Sequence, residues 1–218
     1  MNLIKLLSTF IGFISIVTIN GELVTVDGQC PTSEIEPDDF ARPDNVIGIF
    51  YVVEQSAEDT ISSTNGRVLL TPDGDTVTIR DRSKPNSGDQ CSERQIKLNY
   101  TGVEGFFDVS YQAQPDSSFQ DGYKGYILQL QTYSTNDGEI AIYSVILFIC
   151  RNISDSQYEF DLPVYSLLTD LSPRLREDVA LYLAYNDLLD LDEYLKPEQQ
   201  DGECQFSDEE ENANYDIL

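Results

Sequence analysis

Between Val46 and Tyr165, short runs rich in β-branched and aromatic residues follow one another, several of them only a few residues apart. Links this short force antiparallel neighbours, because a parallel crossover needs a dozen or more residues. Eight runs are read as strands: Ile47–Gln55, Arg67–Thr71, Thr76–Asp81, Gln95–Thr101, Phe106–Gln112, Tyr126–Tyr133, Glu139–Arg151 and Gln157–Tyr165. Pro72-Asp73-Gly74 and Asn136-Asp137-Gly138 supply the positive-φ positions that hairpins require. The period then changes. Ser172-Pro173 reads as an N-cap followed by proline at the first helical position. Leu175, Val179, Tyr182 and Leu183 fall on one helical face, predicting a helix over 173–186. Glu177 and Asp178 are expected in or near its first turn, where the helix dipole favours acids. The pattern is all-β, an antiparallel sandwich or barrel followed by one helix.

The flanks read differently. Met1 to Asn20 carries one basic residue, Lys5, and then an apolar run from Leu6 to Ile19. That is the form of a secretory leader, too short for a comfortable membrane span, with cleavage expected near Gly21 and a leader of 1–21. The chain is therefore expected to be secreted, with no membrane insertion. Residues 22–46 read as an irregular polar lead-in to a single domain over 22–206, and 207–218 as an acidic, disordered tail.

Composition removes several classes of function. There is no histidine, which excludes Ser-His-Asp and Cys-His catalysis, imidazole-ligated haem and most zinc sites. The four cysteines, Cys30, Cys91, Cys150 and Cys204, are too far apart for a zinc knuckle or a redox pair. In an exported chain an even number reads as two disulfides, with three pairings open. Lysine and arginine total 13 against 39 acids, a net charge of −26. A field of that sign repels nucleic acid and anionic membrane, and serves solubility or attracts cations.

Strand and helix order, together with local sequence, resembles the lipocalins, in particular the apolipoprotein D and insect bilin-binding (insecticyanin-like) subgroup. Cys30-Pro31, Phe40 and Gly48-Ile49-Phe50-Tyr51 resemble the approach to that family's first strand, where the signature is G-x-W followed by tyrosine. Glu139 to Ser144 resembles its seventh strand. Tyr165 to Pro173 and Glu198 to Cys204 resemble its last strand, helix start and closing Q-x-x-C tail. The resemblance covers roughly residues 30–204. It implies an eight-stranded antiparallel up-and-down β-barrel with one C-terminal α-helix packed on it. By the family's cysteine order it pairs Cys30 with Cys150 and Cys91 with Cys204, although Cys91 lies further along the chain than the subgroup's usual second cysteine. Two departures coincide: Phe50 replaces the tryptophan, and Thr169 or Asp170 stands where an arginine usually packs across it. Losing both strands no lone charge, so an apolar plug centred on Gly48 and Phe50 is expected at the closed end.

A small barrel can hold one ligand among its inward side chains. Alternation assigns Val77 and Ile79, Ile96, Leu98 and Tyr100, and Phe107, Val109 and Tyr111 to the inside, as the candidate ligand-binding lining. The same phase puts Asn99, in the glycosylation sequon Asn99-Tyr100-Thr101, on the outside. A second sequon, Asn152-Ile153-Ser154, follows the seventh strand. Ile140 to Ile149 is apolar on both faces, as expected if the helix covers the outer one. Tyr126, Leu128 and Leu130 fit either face.

The resemblance implies a secreted carrier of a small hydrophobic ligand (a pigment, retinoid, sterol, fatty acid or semiochemical), without cofactor, metal or catalysis. The alternative is an acidic extracellular structural or interaction protein that binds calcium, mineral or a basic partner through carboxylates such as Asp208 to Glu211. An enzyme would need a free, reactive cysteine.

Overall fold

The alternating runs become a closed ladder. The structure is a computed structural model that describes residues 23–58, 63–112, 117–134, 140–202, 204–208 and 210. The expected leader, the Asn136-Asp137-Gly138 turn and the tail from 211 lie outside the described residues. The strands are β1 (Val24–Asp27), β2 (Gly48–Ser56), β3 (Ser63–Asp73), β4 (Thr76–Pro85), β5 (Ser92–Tyr100), β6 (Phe106–Tyr111), β7 (Gln120–Ser134), β8 (Ile140–Asn152), β9 (Gln157–Asp161), β10 (Val164–Ser166) and β11 (Leu195–Pro197). One helix, α1 (Pro173–Tyr185), and 3-10 turns at Pro43–Asn45 and Leu189–Tyr194 complete the order.

From β2 to β8 each strand pairs antiparallel with the next, and β10 closes the ring by pairing with both β8 and β2. β9 and β10 together form the eighth stave. The run read as one strand, Gln157–Tyr165, divides at Leu162-Pro163, since proline has no N–H to give to the ladder. Before the division β9 pairs with β1, in the register Val24↔Phe160. The lead-in is thus partly strand, not wholly irregular. β3, β4 and β7 also run further than expected, through polar residues such as Arg82 to Pro85 and Gln120 to Gly122.

Alternation sorts the chain into two cores. Val145, Leu147 and Ile149 of β8 point into the barrel, and Ile146, Phe148 and Cys150 point out. The outward set meets Leu175, Val179 and Leu183 of α1, which accounts for an apolar run without alternation. In β7, a register shift between Ile127 and Gln129 leaves Tyr126 and Leu128 in the outer core and Leu130 in the inner one. Ser172 caps α1 by accepting from the Leu175 N–H at 3.1 Å. The first turn carries no acid. Glu177 and Asp178 fall one turn later, and the Asp178 carboxylate accepts from Gln131 on the barrel wall.

The barrel ends differ. At one end lie the β3–β4 and β5–β6 turns and the 3-10 turn Pro43–Asn45. Here Ala41 and Val46, both fully buried, join Phe50 inside the barrel. Gly105 N–H donates to Ala41 O at 2.8 Å, and Leu130 N–H to Asp38 Oδ2 at 2.9 Å, so the lead-in is lashed across this end. Gly48 has φ +143, and a Cβ there would sit 2.8 Å from the Phe50 ring, so the glycine makes room for the plug. Two disulfides, Cys30–Cys150 and Cys91–Cys204, span 120 and 113 residues. The second brings the C-terminal segment onto β4 and β5. There Phe206 lies against Arg80 and Arg82, and Glu210 Oε1 reaches Arg80 at 2.6 Å.

Candidate functional site

Three inward rows build the interior. β4 contributes Val77 and Ile79, β5 Ile96 and Leu98, and β6 Phe107, Val109 and Tyr111, each no more than 2 % exposed. Tyr100, the last of the expected lining, is partly buried, with its ring 5.9 Å from that of Phe107. The outward phase is equally clear. Asn99 lies outside and accepts from Thr76 Oγ1 at 3.1 Å. Asn152 is exposed at the end of β8, where its Oδ1 accepts from Cys30 N–H at 2.7 Å.

The rows continue beyond their apolar members, and this the alternation argument missed. Two residues past Ile79 the next inward position is Asp81. Two before Ile96 it is Arg94. Asp81 and Arg94 are register partners, and Arg94 Nε donates to Asp81 Oδ2 at 2.7 Å and Nη1 to the Tyr111 hydroxyl. Their side chains are 7 % and 13 % exposed. Asp161, buried at the end of β9, accepts from Ser56 Oγ at 3.0 Å. Glu198, just past β11, accepts from the Gly66 N–H. The signal available in the sequence was phase alone: charged residues at positions that the period assigns to the interior.

Electrostatics ties these groups together. Burial pushes the Asp161 and Glu198 carboxyls above the usual range, Arg94 opposes the rise in both, and Asp81 adds to it. Burial works against the Arg94 charge, but Tyr111, Asp81 and Asp161 outweigh it and hold the guanidinium above its ordinary value. Burial likewise raises the phenols of Tyr111 and Tyr165, so both are hydrogen-bond donors at neutral pH. Nearer the rim, Tyr123 lies 5.6 Å from Tyr111, donates to Glu159 at 2.6 Å and is covered by the Arg151 guanidinium at 4.2 Å. The interior therefore has an apolar floor over Phe50 and a polar upper end.

Two clefts lie outside the barrel. One of 590 Å³ runs between α1 and the β7–β8 wall, past Gln131, Tyr133, Tyr143 and Leu181. The other, of 480 Å³, is lined by Asp27, Tyr158, Asp190 and Tyr194 among others. Among the described residues no helix is long and apolar enough to cross a membrane, and all four cysteines are paired.

A closed eight-stranded up-and-down barrel, plugged at one end by its own lead-in and carrying one helix after the last stave, is the lipocalin fold. Solved structures of that fold superpose on the chain. Lobster apocrustacyanin A1 matches at TM-score 0.57 with 14 % identity, over 83 % of this chain and 93 % of its own. Insecticyanin from the tobacco hornworm Manduca sexta matches at 0.55 with 13 % identity, over 85 % and 94 %. The siderocalin Ex-FABP, described as acting through dual ligand specificities, matches at 0.51 with 13 % identity, over 75 % and 99 %. No protein-family profile and no curated protein matches the sequence.

Proposed function

We propose that this chain is an exported carrier that binds a small hydrophobic ligand inside the barrel, by desolvation and without covalent chemistry. The observation that carries the reading is the convergence of Val77, Ile79, Ile96, Leu98, Phe107 and Val109 from three strands on one interior. A separate segment laid across one end and tyrosines at the other enclose that interior. Tyr111 and Tyr123 are almost fully buried, so a ligand passes only when they swing aside. The dual ligand specificities described for Ex-FABP, which shares the fold, support the reading. Two long-range disulfides and an apolar N-terminal leader support export. Asn99 and Asn152 would then carry glycans on the outer surface.

The chemistry favours a carrier over an acidic surface protein at one point. Glu210, from the acidic tail, is held by the backbone and side chain of Ser207 and by Arg80, which lower its pKa to about 2. This carboxylate is engaged within the molecule. The test is native mass spectrometry and an absorption spectrum of the protein taken from its natural source. A visible band, or a stoichiometric extra mass lost on organic extraction, is the expected result. A bare polypeptide mass that takes up no retinoid, bilin or fatty acid on later addition would overturn the reading.

A further inference from the structure

The inward rows end in ionisable groups, and among the described residues acids outnumber bases there. Asp81, Asp161 and Glu198 share the upper end of the barrel with one guanidinium, Arg94, and each carboxylate residue is at most 7 % exposed. Arg94 is already engaged by Asp81 Oδ2 and Tyr111. The other oxygen, Asp81 Oδ1, is buried with no hydrogen-bond partner among the described residues. A buried carboxylate oxygen without a donor is costly and asks for one.

We propose that this end of the barrel anchors an organic amine, with its apolar body among Val77, Ile79, Ile96, Leu98 and Phe107 and its ammonium group donating to Asp81 Oδ1. This rests on the carrier reading and narrows its ligand class. A fatty acid would set its carboxylate against the unpaired Asp81 oxygen, whereas an ammonium group gives that oxygen a donor. Among the described residues no three carboxylate or cysteine side chains gather to hold a metal ion, so the site suits a cation that meets these acids through single hydrogen bonds. Tyr111 and Tyr165 belong to the same inner core, where the Arg94 guanidinium lies 5.4 Å from the Tyr111 ring centroid. The net charge of −26 supplies long-range attraction of the same sign preference.

The test uses three ligands with one body: n-octylammonium, 1-octanol and octanoate, titrated calorimetrically into the mature, disulfide-bonded protein at pH 7. The amine is expected to bind at least roughly tenfold more tightly than the alcohol, the order of one charge-assisted hydrogen bond, and octanoate the most weakly. Asp81→Asn should remove the preference for the amine over the alcohol. The wild-type ratio needs no variant, so it decides the matter even where Asp81→Asn folds poorly. Equal binding of amine and alcohol, or an amine preference that survives Asp81→Asn, would overturn the anchor while leaving the carrier intact. Binding of none of the three would count against both, and the natural-source mass spectrum then separates them: a bound neutral or acidic cargo sinks only the anchor.

Discussion

Replacing Arg94 with methionine tests whether the buried charges act as one unit. Methionine keeps most of the side-chain length and removes only the charge and the donors. In the native protein the guanidinium donates to Asp81 Oδ2 at 2.7 Å and to the Tyr111 hydroxyl. Asp81 Oδ1 is already without a donor among the described residues, so the variant strands the whole carboxylate in the barrel. Breaking a buried ion pair from one side costs about 3–5 kcal/mol. For a domain of this size that lowers Tm by about 6–20 °C. The pH dependence is the sharper readout. Asp161 and Glu198 already have raised folded-state pKa values, and Arg94 is the cation that holds the rise in check. A carboxyl with a raised folded pKa costs nothing below its unfolded value, and its penalty grows as pH rises toward the folded one. Without Arg94 both values climb further, so the deficit is larger at pH 7 than near pH 4. The assay is urea unfolding followed by circular dichroism at the two pH values with disulfides intact. A deficit under about 1 kcal/mol at pH 7, well short of that expected for a broken buried pair, or one equal at both pH values, would refute the argument.

Glu54 offers an independent check outside the barrel. Burial raises its pKa to about 7, with Arg176 opposing and Asp192 adding to the rise. Its contribution therefore falls as pH climbs from about 4.5 toward 7, and Glu54→Gln should gain on the order of 2 kcal/mol over wild type at pH 8 and little at pH 5. Gly105→Ala places a Cβ 2.5 Å from Pro37 Cβ at a φ of +69. Thermal melts should show a loss of about 1–3 kcal/mol, as for overpacking and a strained backbone. Cys91→Ser opens a cross-link of 113 residues. Denaturant titration should show a loss of up to about 4–5 kcal/mol in the chain-entropy model, with proteolysis cutting first near Phe206. Val109→Phe adds bulk to a fully enclosed position in the inner wall; ligand affinity should drop about tenfold or more, since overpacking here competes with the cargo for space, and unchanged affinity would put the ligand elsewhere.

What the sequence made legible follows from where water is. β4, β5 and β6 have one face in solvent, so their residues alternate; Val77, Ile79, Ile96, Leu98, Phe107, Val109 and Tyr111 lie in the inner core, with Tyr100 partly buried against it. β8 is covered on both faces, inside by the barrel and outside by α1, so hydrophobicity carries no phase there. β7 hides its phase for another reason: a bulge between Ile127 and Gln129 switches faces midway. β1 and β11 are four and three residues long, below the length at which a period can be read. Asp81 and Arg94 were in phase with their rows, but a search for lining residues weighs apolarity, and charge at an inward position reads as the end of a strand. Asp161 and Glu198 carry no local signal, because they reach the interior only through the closure of the ring.

The two ends of the barrel follow a single logic. At the floor the chain lacks both the tryptophan and the arginine that usually meet there, and an aromatic ring over Gly48 with Ala41 and Val46 fills the space without any charge. At the opposite end it places a guanidinium and three carboxylates where a simple apolar cup would have none. Buried ion pairs are poor stabilisers compared with hydrocarbon of the same volume, so stability gives no reason to keep Asp81, Arg94, Asp161 and Glu198 in a barrel whose floor shows that the fold closes well without them. Recognition gives one. A site that leaves an acceptor unpaired discriminates strongly against ligands lacking the donor, in a way that apolar contact alone cannot. The cost of the polar end is then the source of its selectivity.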